Sequence, residues 1–389
     1  MGWSAHPNAT QAGKHAAQQA LGSLGSQQPR LGFIFGSSWF NQPALLHGVR
    51  SALADVPLLG GSTAGEITPE GPASHSCVVL LLASEAIACS IGTGEYANIH
   101  PREAGQHAGQ AALQAFHGSP RMGFLFFGDG LMTGTADVTR GLREALGTSS
   151  LVVGGLAGDD LQRSGTYQYA DQQVMRRSVV GVLVGGSIKI GVGSEHGFAP
   201  ISKPRRITRA TANILYELDG LPAASVYEEY FGADLMGRLR EEGFTRQRIA
   251  YPLGIQRNQQ QPALLRNVVS FEADGSLACS GEIPEGGWLQ LMIGSPERAL
   301  EAAGAAAQSA VQSLNRIAGV LVFDSVVRRL LLGSRYAALE IARIREAIGP
   351  STVLGGCYTY GEQAPVGPTA TYEETAIQTG SVLVIAFGN

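Results

Sequence analysis

Charged residues are scarce in this 389-residue chain, at 15%, and they include no long basic run. Soluble domains usually carry about a quarter. With 32 acidic and 28 basic residues the formal net charge is −4, which makes nucleic acid and anionic membrane poor partners. Cysteine is also sparse. Cys77, Cys89, Cys279 and Cys357 stand far apart, with no C-x-x-C and no histidine pair at ligand spacing, so neither a disulfide framework nor a zinc site is encoded. No apolar run is long enough to span a bilayer. Residues 1–10 lack the basic and apolar regions of a signal peptide, so a cytoplasmic protein is expected. Catalytic templates are missing as well. There is no G-x-S-x-G elbow and no G-x-x-x-x-G-K-[ST] loop, and Gly191, Gly193 and Gly197 have the wrong spacing for a dinucleotide fingerprint. The chain is therefore not read as an enzyme, and no cofactor is called for.

Glycine is abundant by contrast, with 52 residues, and its placement repeats. Leu59-Gly60-Gly61-Ser62-Thr63-Ala64-Gly65-Glu66 returns as Val153-Gly154-Gly155-Leu156-Ala157-Gly158-Asp159-Asp160 and again as Leu354-Gly355-Gly356-Cys357-Tyr358-Thr359-Tyr360-Gly361-Glu362. Each copy is an apolar run that stops at paired glycines and turns into a carboxylate. Such glycines allow a close backbone approach that a Cβ would block.

The flanks repeat too. Ahead of each glycine pair the periodicity predicts an Ala-rich helix, a buried strand and a second helix: 11–24, 31–35 and 42–54; then 102–116, 122–127 and 136–146; then 296–314, 319–323 and 337–348. Return strands follow at 77–82 with 86–91, at 179–184 with 188–192, and at 381–387. The pattern predicts an α/β protein of two domains, with mixed or largely parallel sheets flanked by helices, built from three related strand-helix-GG-turn units. Residues 200–251 break the repeat with a helix expected at 222–240. The boundary is placed near Pro204, giving domains 1–204 and 205–389. Extra strands at 264–271, 276–281 and 288–293 open the second, with a turn at Asp274-Gly275.

The glycine turns, with Leu218-Asp219-Gly220, Tyr251-Pro252-Leu253, Pro284-Glu285-Gly286 and Gly356-Cys357-Tyr358-Thr359-Tyr360-Gly361-Glu362, resemble the FIST family in order and over almost the whole chain. The resemblance implies a signal-input module of an N-terminal and a C-terminal FIST domain, binding a small ligand with amino acids favoured. Some members bind haem and report nitric oxide to a histidine kinase, and some recruit substrates to ubiquitin ligases. Ser325 stands where members often carry a cysteine, and Tyr372-Glu373 where they tend to have a His-Asn pair.

Glu66, Asp159 and Glu362 are candidate acceptors for a ligand ammonium, with Ser62 and Thr63 in the first of these turns. The alternative is that each carboxylate caps its own turn. Arg328, which matches the family's arginine, is preferred to Arg329 as a clamp for a carboxylate. Cys357, Tyr358 and Tyr360 give the third turn walls that set size. Ser37, Ser38 and Asp129 sit at comparable strand ends and either line the same crevice or serve as caps. The reading is a sensor binding an amino acid or similar zwitterion and passing its signal to a separate protein such as a histidine kinase. A haem-based gas sensor using His47, His196 or Tyr372 and a ligand-free scaffold are the alternatives.

Overall fold

The computed structural model describes residues 1–240, 246–257, 262–366 and 375–389. The first unit runs through β1 (Gly2–Ser4), α1 (Ala9–Leu24), β2 (Leu31–Ser37), α2 (Gln42–Leu53), β3 (Leu58–Thr63), β4 (Glu66–Thr68), β5 (Gly71–Ala73), β6 (Cys77–Leu82) and β7 (Ile87–Gly94). The second has α3 (Pro101–Ala115), β8 (Arg121–Gly128), α4 (Thr135–Leu146), β9 (Val152–Leu156), β10 (Gln168–Ala170), β11 (Gln173–Met175), β12 (Val179–Gly186) and β13 (Lys189–Glu195). An insert follows, with β14 (Phe198–Pro200), β15 (Arg205–Thr211), β16 (Ile214–Leu218), β17 (Leu221–Pro222), α5 (Ser225–Tyr230), α6 (Ala233–Arg240), α7 (Arg246–Ala250), β18 (Leu253–Gln256), β19 (Leu264–Arg266), β20 (Val268–Phe271), β21 (Leu277–Cys279) and β22 (Trp288–Gly294). The third unit is α8 (Pro296–Val311), β23 (Ile317–Ser325), α9 (Val326–Ile348), β24 (Leu354–Thr359), β25 (Glu362–Pro365), β26 (Thr375–Gln378) and β27 (Val382–Gly388).

Three six-stranded mixed sheets repeat one arrangement: β1-β6-β2-β3-β10-β11, β7-β12-β8-β9-β25-β26 and β13-β27-β23-β24-β4-β5. In each, the central strand pairs in parallel with the strand that carries the glycines. Beyond that strand lies a hairpin donated by another unit: β10-β11 joins the first sheet, β25-β26 the second and β4-β5 the third. β2 is buried along its whole length, and β8 and β23 are buried from Gly123 and Gly319 onward, as strands covered on both faces must be. Helices cover the outer faces through small side chains such as Ala12, Ala16, Ala303 and Ala307, and Asn8, Asn41 and Ser295 cap α1, α2 and α8. Pro296 occupies the first turn of α8, where its missing N–H has no cost.

The three inner faces meet on Phe35, Phe127 and Phe323, whose ring centroids are 5.7, 5.6 and 5.7 Å apart. They hold the same register position in the three central strands, so they mark a pseudo-threefold axis. Phe127→Leu is expected to cost about 1–2 kcal/mol in urea unfolding, because one ring of a closed triangle leaves a gap that the other two cannot fill. An unchanged midpoint would mean that the triangle is loosely packed.

The same registers align Gly60 with Gly154 and Gly356. A Cβ on any of them would lie 1.8–2.0 Å from the carbonyl oxygen of Ile34, Phe126 or Val322 on the adjoining strand. Close strand approach therefore requires glycine here. The third pair is offset by one, since Cys357 and not Gly356 takes the place of Gly61 and Gly155.

Two domains are present, divided by packing rather than into halves. The insert has its own core around Ile207, Leu215, Tyr227, Leu277 and Leu289. Residues 295–389 return to the core of the first two units, where Leu321, Phe323 and Leu383 pack with Phe33 and Leu125. The segments 1–204 and 205–389 are thus not two separately packed bodies. The helix expected at 222–240 is split into α5 and α6. The helix expected at 337–348 begins already at Val326 and is broken at Gly333, with φ 65° and ψ 175°. Among the described residues no helix is long and apolar enough to cross a membrane.

Candidate functional site

Inside the C-terminal ends of the central strands lies a sealed set of polar side chains. Thr63 and Ser76 hydroxyls donate to Glu66, the latter at 2.6 Å. In the third unit Thr359 and Ser381 donate to Glu362 at 2.6 and 2.8 Å. Both carboxyls are fully buried, and burial pushes Glu66 up to about 7 and Glu362 up to about 8 against the opposing effect of these hydroxyl donors.

The second unit has Gln168 at this place. Glu66 pairs across the ladder with Cys357, Gln168 with Gly61, and Glu362 with Gly155, which are equivalent positions. Gln168 keeps equivalent partners, donating to Thr166 at 3.2 Å and accepting from the Ser178 amide at 3.3 Å. Asp159, expected as the third carboxylate, sits instead in the long 157–167 connection. It accepts amide hydrogens from Arg163, Ser164 and Gly165 at 3.0, 2.6 and 3.0 Å, and the Tyr360 hydroxyl donates to it as well. Its role is to hold that loop.

The other expected residues are also committed to the protein. Ser62 donates to the Gly158 carbonyl at 2.7 Å and accepts from the Tyr167 amide at 2.9 Å. Arg328 is fully buried and lies 3.0 Å from Asp324. It donates to Glu340 and to the carbonyls of His196 and Ala299 at 2.7 and 2.8 Å. Burial and then the Glu340 charge hold the Asp324 carboxyl well above its ordinary value, so Asp324 keeps its proton while Glu340 and Arg328 balance each other. Cys357 and Tyr358 are sealed, and burial followed by Glu66 and Glu362 raises the Cys357 thiol well above its usual range. The crevice expected at the turn ends is thus filled by the protein itself, because each donated hairpin lies over another unit's turn.

An open cleft of about 670 Å³ lies beside this set. All three units build it. Trp39 and His75 come from the first, Asp160 and Leu161 from the second, and Arg329 and Gly333 from the third. Trp39 is 65% exposed, with its ring 4.7 Å from that of His75. Asp160 collects on its Oδ2 the hydroxyls of Ser37 and Ser38 and the Ser38 amide, at 2.8, 2.7 and 3.0 Å. Arg329 donates to the Ala64 carbonyl and to Ser74, each at 2.6 Å, and lies 4.9 Å over the Tyr358 ring.

Positive φ at His75 (51°), Asp160 (53°) and Leu161 (65°) gathers at this cleft, and so does the break in α9 at Gly333. Such backbone costs on the order of 1 kcal/mol per non-glycine residue and concentrates at sites of function. Arg329, half-buried, lines this cleft while Arg328 does not, and Asp160 lines it while its neighbour Asp159 does not. Trp39 and His75 carried no motif, although Trp39 directly follows the strand-end pair Ser37-Ser38.

Of the residues named for haem, His47 is exposed on α2 and His196 is held by the Phe198 amide at 2.9 Å on its Nδ1. Burial lowers His196 to about 4. Neither lines the cleft, and Tyr372 lies outside the described residues.

Residues 30–221 match the family model of the FIST N domain, and residues 223–365 that of the FIST C domain. An uncharacterized protein of Methanocaldococcus jannaschii is 31% identical over 110 residues, which is 28% of this chain and 20% of that protein's length. Among solved structures, a cyanuric acid hydrolase from A. caulinodans is 12% identical with a TM-score of 0.34, covering 100% of this chain and 98% of its own. A second cyanuric acid hydrolase structure is 10% identical with a TM-score of 0.35, covering 97% and 96%. Likeness at that level carries no argument about function.

Proposed function

The chain belongs to the FIST family, whose domains are associated with signal-transduction sensors, and from that premise we propose that it senses a free amino acid or similar zwitterion in the cleft at Arg329. The observation that carries the reading is the meeting of one anion, one cation and an exposed aromatic ring, each from a different unit or strand end, in a cleft of about 670 Å³. Asp160 accepts the ligand ammonium, Arg329 donates to its carboxylate, and Trp39 with Leu161 covers the side chain. Signalling follows if occupancy changes the angle of α9 at Gly333, since a ligand shifts an equilibrium only by its differential affinity. The output passes to a separate signalling protein, such as a histidine kinase. The reading calls for no cofactor.

Single amino acids tested by thermal shift on the full chain check this. A ligand present at 100 times its Kd stabilises by about 2.7 kcal/mol, and the response is expected to vanish in Arg329→Ala and Asp160→Asn. If no amino acid moves the parent's melting point, or both variants respond like the parent, the zwitterion reading is lost. A Soret band on adding haemin that shifts with nitric oxide would select the haem alternative instead.

A further inference from the structure

A second cleft, of about 160 Å³, lies where α4 and the β25-β26 hairpin face the insert. It stands in the three-unit body where the Arg329 cleft stands one unit further on: between the helix that follows a central strand and the hairpin donated to that sheet. At the remaining junction, between α2 and β10-β11, the Tyr169 hydroxyl bonds Gln42 and fills the space. The second cleft is lined by Arg266, Arg257, Arg140, Arg143, Thr135 and Thr139, with Glu282 as its carboxylate.

Arg266 is the telling residue. It is 7% exposed, yet its Nε and Nη1 donate to backbone carbonyls alone, those of Glu282, Leu265 and Ile377 at 3.1, 2.9 and 3.1 Å. Among the described residues no carboxylate lies within ion-pairing distance of it, and its Nη2, which donates to none of them, is not among the buried atoms left without a partner. Burial accordingly lowers this guanidinium to about 10. Arg328, which is fully buried, has two carboxylates. A buried cation faced only by carbonyl dipoles is costly unless an anion completes it.

Glu282 does not serve, because it is turned to Arg140, which also holds Asp137. The cleft floor is fixed by a chain of bonds in which Thr139 donates to Gln363, Gln363 to Thr375 and Arg143 to Thr375, at 3.0, 2.8 and 2.7 Å. The twelve-residue helix α4 begins at the rim with Thr135, and no side chain caps its amides. Helix amides, threonine hydroxyls and guanidinium forks together favour a phosphate over a carboxylate, and the volume limits the bound part to one compact group.

We propose that this cleft binds a phosphate group, either inorganic phosphate or the phosphate of a small monoester, with the buried Arg266 as its principal partner. The site is separate from the zwitterion cleft and does not depend on it. Calorimetric titration of the full chain with inorganic phosphate is expected to show one saturable site. Glycerol 3-phosphate binding more tightly would identify a phosphomonoester as the ligand, and binding more weakly would identify free phosphate.

Arg266→Gln is expected to weaken binding about tenfold or more, Arg257→Ala about threefold, and Arg329→Ala not at all. Should Arg266→Gln fail to fold, Arg257→Ala, which changes an exposed side chain, decides the matter. The proposal is overturned if no saturable binding occurs below about 10 mM, if succinate binds as tightly as phosphate, or if the folded variants bind like the parent.

Discussion

Arg328→Ala is expected to destabilise the protein by about 3–5 kcal/mol, the cost of leaving a buried charge without its partner. Arg328 lies at the first turn of α9 and spans the break at Gly333 to reach Glu340 beyond it, while its remaining nitrogens hold the carbonyls of His196 and Ala299. One side chain thus joins β23, α8, both halves of α9 and the chain leaving β13. With it gone, Glu340 loses the hydrogen bonds and the counter-charge that Arg328 supplies inside the core. Urea unfolding measures the loss. The triple change Arg328→Met, Asp324→Asn and Glu340→Gln removes the charges together and is expected to recover most of it, since a buried ion pair contributes little beyond its own desolvation. A loss below about 1 kcal/mol for the single alanine variant would show that water reaches the cluster.

Glu362→Gln is expected to stabilise the protein at pH 8 by on the order of 3 kcal/mol and to leave it nearly unchanged at pH 5. Burial raises the folded-state value of Glu362 to about 8 from the ordinary 4.5, so the folded chain keeps a proton that the unfolded chain has released. Stability from this group is complete below the unfolded value and falls as pH rises from about 4.5 to about 8, because the folded state binds more protons over that interval. Glu66→Gln acts in the same direction over a window ending near 7. Gln168 shows that glutamine fits this environment, with the Thr166 hydroxyl and the amide of Ser178, which directly precedes β12 as Ser76 precedes β6 and Ser381 precedes β27, as its partners. The check is the urea midpoint of parent and variant at the two pH values. Parallel behaviour of the two proteins would mean that Glu362 is ionised throughout and held by Thr359 and Ser381.

Much of the architecture was legible because sterics leave the sequence little freedom. Gly60, Gly154 and Gly356 press against a neighbouring carbonyl, so each copy had to show glycine, and the three copies exposed the repeat. The offset of the third pair was hidden, since Gly355 and Gly356 read alike in one dimension. Glu66 and Glu362 were found because they follow their turns directly. Gln168 was not, because residues 157–167 separate it from β9 and put Asp159 where a carboxylate was looked for. Arg328 and Arg329 are adjacent in sequence but about 100° apart around a helix, so one enters the interior and the other faces the cleft. Choosing between them required knowing that α9 starts at Val326.

By itself the sequence determined the family, the α/β class, the three glycine turns and the identity of the strands between them. Each of these follows from local conditions: side-chain periodicity, backbone sterics and composition. Tertiary structure alone decided that hairpins are exchanged between units, which seals the acidic residues in the interior and leaves Asp160, Arg329 and Trp39 at the surface. Strand exchange is settled by which sheet edges meet, and edges far apart in the chain leave no pattern in any one segment.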